Sequence, residues 1–288
     1  MGIQELETKN YAKQLLAIAK SDLKASRTLH KNKFYSQSYF YFQQSVEKAI
    51  KVFGLVSGVI TEKELIKVGH DQAKIYKKML NYHNMVVQQL EQVFDTSEQI
   101  RNHEISKDLN IEKQKESLSN SKTIFDLLDK RGFNHIRSSD VDFIIEEVTS
   151  IDKSRIRVVK DRDKILVERF KLLSDWIGKF ETAEAMKAKD EFEEFFKYRT
   201  NRDMFYEKGL KVFLKIVKDI TSLNLTLYFL SVLTIQHSTK TRYITENVSP
   251  LKFYLPKLAM INRQDELMDL MERALMRFKW FFPRERDQ

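Results

Sequence analysis

No proline occurs before Pro250. The three prolines of the chain, Pro250, Pro256 and Pro283, all lie near its C-terminal end. Proline removes a backbone donor and collides with the turn before it, so a stretch this long without one leaves the backbone free to run as helix. Seven glycines in 288 residues add few further breaks. Charged residues make up 32% of the chain and hydrophobic residues 42%, a balance that suits long amphipathic helices with broad solvated faces better than alternating strands. The expected fold class is all-α, an antiparallel helical bundle extended by additional long helices.

Several chemistries are excluded at the same level. Cysteine is absent, which removes disulfides, thiolate nucleophiles and Cys-based zinc sites. The six histidines, His30, His70, His83, His103, His135 and His237, form no HExxH pattern and no i,i+4 ligand pair, so no metal and no cofactor is expected. Neither a GxGxxG nor a P-loop pattern occurs, which leaves phosphate binding by a glycine-rich loop without support. The first residues lack the basic start and apolar core of a signal peptide. The most apolar segment, Leu223 to Ile235, is interrupted by Asn224, Thr226, Ser231 and Thr234, which makes it a buried core helix rather than a membrane span. A cytoplasmic location is the expectation, with no membrane partner.

Hydrophobic periodicity divides the chain. Ala12, Leu15, Leu16, Ala19, Leu23 and Ser26 share one helical face, and the helix ends near Lys31 and Asn32. A second helix starts near Phe34, aligns Tyr35, Tyr39, Phe42, Val46, Ala49, Ile50 and Phe53 on one side, and is expected to stop at Gly54 and Gly58. The two should pair as an antiparallel hairpin. Thr61 with Glu64 has capping-box spacing, and Asp71 is placed to cap a helix running toward Phe94. Segment 109–131 ends at Gly132, and Ser139 or Asp140 is placed to cap a helix running toward Gly178. The expected division is 1–94 as a helical core, 95–220 as inserted or additional helices, and 221–288 as C-terminal helices packing back on the core. Phe278, Trp280, Phe281 and Phe282 suggest that the last helix docks into that core or across an oligomer interface.

The formal net charge is +9, a mild preference for anionic partners; its distribution says more. Lys9, Lys13, Lys20, Lys24, Arg27 and Lys31 fall within a sector of about 60° on the first helix at 3.6 residues per turn. The only acid in that stretch, Asp22, faces away. A row of like charges at i,i+4 opposes helix formation unless something negative meets it. That something is nucleic-acid phosphate, a partner protein, or acids of this chain such as Glu191, Glu193 and Glu194.

The second helix also carries a resemblance. Its sequence, from Tyr39 to Lys51, places Gln44, Glu47, Lys48 and Lys51 in the order Gln-x-x-Glu-Lys-x-x-Lys after an aromatic-rich start, and His70 and Asp71 follow downstream. This resembles the HEPN (higher eukaryotes and prokaryotes nucleotide-binding) family. His237 through Arg242 and Tyr243 is similar to the Arg-Tyr segment before that family's last helix, with Ile244 where a proline often stands. The resemblance implies a HEPN-like bundle that binds RNA or a nucleotide, helix-to-helix homodimers, and a prokaryotic defence or toxin–antitoxin setting with a nucleotidyltransferase-type partner protein. On the residues alone, Glu47 and Lys51 are equally well placed to form a helical ion pair that shapes packing.

Many HEPN members are metal-independent ribonucleases using Arg and His about four to six residues apart, His moving the 2′-hydroxyl proton and Arg steadying the phosphate. That spacing is missing here. The pairs present are Arg27 and His30, Arg101 and His103, and Arg131 and His135; the last four residues are the candidates for a displaced catalytic pair. The expected ligand contacts are Lys9, Lys13, Lys20, Lys24, Arg27, Lys31 and Arg242. The alternatives are the ribonuclease and a helical interaction scaffold.

Overall fold

The computed structural model describes residues 3–69, 72–95, 119, 136–153, 162–180, 182–235, 237, 241–244 and 249–282. Among them every regular element is helical: α1 (Ile3–Lys31), α2 (Tyr35–Val56), α3 (Glu62–Val68), α4 (Gln72–Asp95), α5 (Ser138–Lys153), α6 (Arg162–Gly178), α7 (Ala183–Lys197), α8 (Arg199–Met204), a π-helical turn (Phe205–Leu210), α9 (Lys211–Thr234), the single turns α10 (Pro250–Phe253) and α11 (Ala259–Asn262), α12 (Gln264–Arg277) and a closing 3₁₀ turn (Phe278–Trp280). Two compact units result, one from Met1–Tyr82, Ser121–Ser154 and Lys218–Gln288, the other from His83–Asn120 and Arg155–Val217.

In the first unit α1 and α2 pair along their length. The predicted apolar face of α1 is the buried one, with Ala12 and Ala19 fully covered, and α2 buries Tyr39, Phe42, Val46, Ala49 and Ile50 in the same core. Small polar groups close the seam. Ser26 Oγ donates to the Ser38 carbonyl at 2.8 Å, Ser38 Oγ returns a bond to the Ser26 carbonyl at 2.9 Å, and Ser45 Oγ donates to the Ala19 carbonyl at 2.7 Å. Each satisfies a buried hydroxyl that would otherwise oppose folding. From α12, Gln264 Nε2 donates to Ser38 Oγ at 2.7 Å, and Leu267, Met271, Ala274 and Phe278 complete the core. The aromatic terminus docks inward: Phe278 is fully buried, and Phe281 meets Phe53 edge-on at 6.0 Å.

Two helix boundaries differ from the sequence expectation. α2 passes through Gly54 and stops only before Ser57 and Gly58, where φ is +71°. Gly54 is in the helix because no side chain fits: a Cβ there would lie 2.9 Å from the Ile60 side chain and 3.1 Å from that of Ile75. Gly58 supplies the left-handed residue that lets the chain turn. The helix expected to be capped by Ser139 or Asp140 opens ahead of both, at Ser138. Asp140 then lies inside the first turn, reaching back to accept the Arg137 backbone N–H at 2.8 Å. The capping box at Thr61 forms as spaced, with Glu64 N–H donating to Thr61 Oγ1 at 3.3 Å and Thr61 N–H to Glu64 Oε2 at 2.9 Å. The expected cap Asp71, the neighbouring His70, and the expected helix 109–131 apart from residue 119 lie outside the described residues.

Leu223, Leu227, Leu230 and Leu233 of α9 are buried at one face, and Thr226 and Thr234 return their hydroxyls to carbonyls one turn earlier. Among the described residues no helix is long and apolar enough to cross a membrane. The second unit is held by phenyl rings: Phe170 stacks on Phe196 at 3.7 Å, with Phe192 and Phe205 edge-on at 5.7 and 5.4 Å. Phe170, Phe192 and Phe196 border an open cavity of about 330 Å³ that Lys171, Ser174 and Arg202 also line.

Candidate nucleic-acid interface

The basic row on α1 survives folding in part. Lys13, Lys20, Lys24 and Lys31 are exposed, and Lys9 is half-buried. Lys9, Lys20, Lys24 and Lys31 make no ion pair among the described residues. Arg27 differs: its guanidinium meets Asp269 at 2.7 Å and Glu272 at 2.9 Å, both on α12. Its neighbour His30 lies 3.3 Å from Asp265 of the same helix and edge-on to Tyr35 at 5.4 Å. Arg27 and His30, one of the three Arg-then-His pairs, therefore face carboxylates of their own chain. The acids named from sequence as possible neutralisers pair on their own helix instead: Glu191 with Lys187, Glu193 with Lys189, and Glu194 with Lys197. The acids that do answer α1 were legible by spacing, since Asp265, Asp269 and Glu272 recur at i, i+4 and i+7.

The α2 signature folds into a continuous polar ladder. Asp22 of α1 pairs with Lys48 at 2.7 Å; Lys48 Nζ also donates to Gln44 Oε1 at 3.0 Å; Gln44 Nε2 donates to Gln43 Oε1 at 2.7 Å; Gln43 Nε2 donates to Glu47 Oε2 at 3.1 Å; and Lys51 Nζ meets Glu47 Oε1 at 2.7 Å. Glu47 is not the surface residue that its spacing suggests, because its side chain is only 3% exposed and that of Lys51 only 15%. A carboxylate so placed must keep its partners, since stripping one away leaves an uncompensated buried charge.

The Arg-Tyr segment returns to the start of α2. Ser36 Oγ donates to the Thr241 carbonyl at 2.8 Å, and Thr241 Oγ1 donates to the His237 carbonyl at 2.9 Å. His237 is fully buried, its ring 4.8 Å from that of Tyr39 and its Nδ1 2.7 Å from the Tyr254 hydroxyl. Burial pushes the Tyr39 phenol well above its ordinary range, with the Tyr254 phenol adding to the effect, so these hydroxyls stay protonated as donors; that of Tyr39 donates to the Leu233 carbonyl at 3.1 Å. From this fixed stem Arg242 emerges exposed, its guanidinium carbon 5.0 Å from the Phe40 ring centroid and 5.3 Å from that of Tyr243. Phe40 was not singled out by sequence; an aromatic run on a helix gives no sign of which ring stays at the surface.

Arg101, His103, Arg131 and His135 lie outside the described residues, as do His70 and Asp71 of the signature. Among the described residues no group of three or more His, Asp and Glu is placed to hold a metal ion. What the first unit offers is thus a lysine row on α1, an ion-paired ladder on α2, and a cation set on aromatic rings beside it. Among curated proteins and among solved structures, none matches the chain. The family model described as HEPN domain matches residues 12–122, a span that opens at the first core residue of α1 and takes in all of α2, α3 and α4; over that span the chain is similar to HEPN domains, which supports a nucleotide- or RNA-related function at the level of the family.

Proposed function

We propose that the protein binds RNA, and that the lysine row of α1 supplies the phosphate contacts. One observation carries this reading: Lys20, Lys24 and Lys31 stand exposed on a single flank of a helix whose adjoining face is core, and no carboxylate among the described residues meets them. An ammonium row of this kind exchanges condensed counterions for lysine when a polyanion docks, so affinity falls steeply with salt. Arg27, held by α12, positions the row rather than contacting the ligand, and Arg242 contributes from the other end of the chain. The family resemblance adds a homodimer and a nucleotidyltransferase-type partner in a defence or toxin–antitoxin setting.

Titration of labelled RNA into the purified protein tests the reading. Lys20→Glu/Lys24→Glu/Lys31→Glu, all three at exposed sites, should leave the helical circular dichroism unchanged and abolish salt-dependent binding. Binding that persists in the triple variant with its salt dependence intact would refute the assignment.

The ribonuclease reading rests on Arg101, His103, Arg131 and His135. Of the histidines whose side chains are described, His30 faces Asp265 and His237 is buried against Tyr39 and Tyr254.

A further inference from the structure

We propose that Phe40, Arg242 and Tyr243 form a stacking platform for an unpaired base, so that the RNA is taken as a single strand rather than as a duplex; the inference rests on the RNA-binding reading above and names its substrate class. The platform is built from a stem and a tip that differ sharply in burial. In the stem, Thr241 is buried and tied at both its carbonyl and its hydroxyl, and His237 beneath it is sealed between Tyr39 and Tyr254. The tip is open: Arg242 is exposed and Tyr243 is 57% exposed, although its phenol ring is large and mostly apolar. The residues that anchor the segment are therefore not the residues that it displays.

The displayed groups share one chemistry. The guanidinium of Arg242 sits over Phe40 and beside Tyr243, and Tyr41, itself partly exposed, meets Phe40 edge-on at 5.3 Å. Flat aromatic and guanidinium surfaces are what nucleobases stack on, because each base offers a π-face regardless of its identity. A base can use such a surface only when it is free of its own helix. In an A-form duplex the base faces are covered by their neighbours and the deep major groove is closed to side chains. Immobilising the stem before binding removes the ordering cost that a loose loop would carry into the complex. A lysine row alone would hold duplex and single strand alike; the platform makes the difference between them.

The test uses the full chain with two labelled ligands of equal length, an unstructured single-stranded RNA and a blunt duplex, each titrated at several salt concentrations, plus a single strand carrying 2-aminopurine to report stacking by its fluorescence. Tyr243→Ser is expected to weaken single-strand binding about tenfold, in the range measured for loss of one stacked base, with the salt slope and duplex affinity unchanged and the 2-aminopurine quenching diminished. Arg242→Gln should act in the same direction, and both should fold normally because both sites are exposed. Equal effects on the two ligands, or an unchanged single-strand affinity while the α1 triple variant loses all binding, would overturn the platform and leave the RNA-binding reading standing. A wild-type protein that binds neither ligand with salt dependence would remove both. A change in sedimentation of the RNA-free protein on Tyr243→Ser, with RNA affinity unaltered, would assign this face to a protein partner and overturn the inference.

Discussion

Lys24 and Arg27 occupy the same stripe three residues apart, yet the structure gives them opposite roles, and a comparison of two substitutions separates them. Each phosphate neutralised on a single strand contributes about 0.7 to the slope of log K against log salt. If Lys9, Lys20, Lys24 and Lys31 all engage, over about 33 Å of helix at 1.5 Å per residue, the slope is about −2.8. Raising salt from about 50 to about 200 mM should then weaken binding about fiftyfold. Lys24→Gln should make the slope shallower by about 0.7. Arg27→Gln should leave it unchanged, because that guanidinium already lies 2.7 and 2.9 Å from Asp269 and Glu272 and displaces no counterion from RNA. Its cost falls on folding, at most about 1 kcal/mol, since Asp269 and Glu272 are 56% and 59% exposed. Fluorescence anisotropy across the salt series reads the slope, and urea denaturation reads the stability. Equal changes of slope in both variants would refute the claim that α12 holds Arg27 back from the ligand; no change in either would show that phosphate does not meet this flank.

The folded core offers three further checks. Glu47→Ala strands the half-buried Lys51 and should cost about 3–5 kcal/mol in urea denaturation, whereas a loss of a few tenths would show the pair to be an ordinary surface one. Gly54→Ala puts a methyl group into the Ile60 side chain and should cost about 1–3 kcal/mol, part of it recovered by adding Ile60→Ala; a neutral Gly54→Ala would show that the contact has room to give. Hydrogen bonds first from Lys78 and then from the Thr61 backbone hold the Glu64 carboxyl at about 2 against an ordinary 4.5. The folded value is the lower one, so the Lys78 contact, together with the capping box, contributes stability that is fully present above about pH 4.5 and lost as pH falls toward 2. NMR titration of the Glu64 carboxyl should find it there, and Lys78→Met should move it up; a wild-type midpoint near 4.5 would contradict the assignment.

The helical class and the α1–α2 hairpin were legible because proline is absent before Pro250 and the apolar residues of both helices recur with a helical period. Gly54 was misread for a physical reason. Glycine marks either a backbone that needs positive φ or a backbone that another group approaches closely, and these look alike until Ile60 and Ile75 are in place. Glu47 and Lys51 show a similar limit: spacing says that the pair can form, while burial decides what it is worth. The answer to Arg27 was present as Asp265, Asp269 and Glu272, but an acidic row is complementary to every basic row in the chain, and only the packing of α12 on α1 selects its partner. The Arg-Tyr segment and the α2 signature were each readable as local patterns. Their meeting through Ser36 and Thr241 is tertiary, and it is what turns Phe40 from one aromatic among many into the floor under Arg242.

The two surfaces proposed for RNA belong to one rigid element, which bears on how they act together. α1 carries the lysines and α2 carries Phe40, and the helices are pinned at three levels by Ser26 with Ser38, Ala19 with Ser45, and Asp22 with Lys48. Arg242 is in turn fixed to α2 through Thr241 and Ser36. Charge and stacking contacts therefore keep a constant separation, and a strand already held at one meets the other as an intramolecular event whose strength depends on whether the strand can span the gap. Lysine ammonium groups provide affinity for any polyanion; ring and guanidinium faces admit only a base that has left its helix. Selectivity for an unpaired strand then needs no hydrogen-bond reading of base edges, only a hairpin stiff enough to hold both chemistries in place.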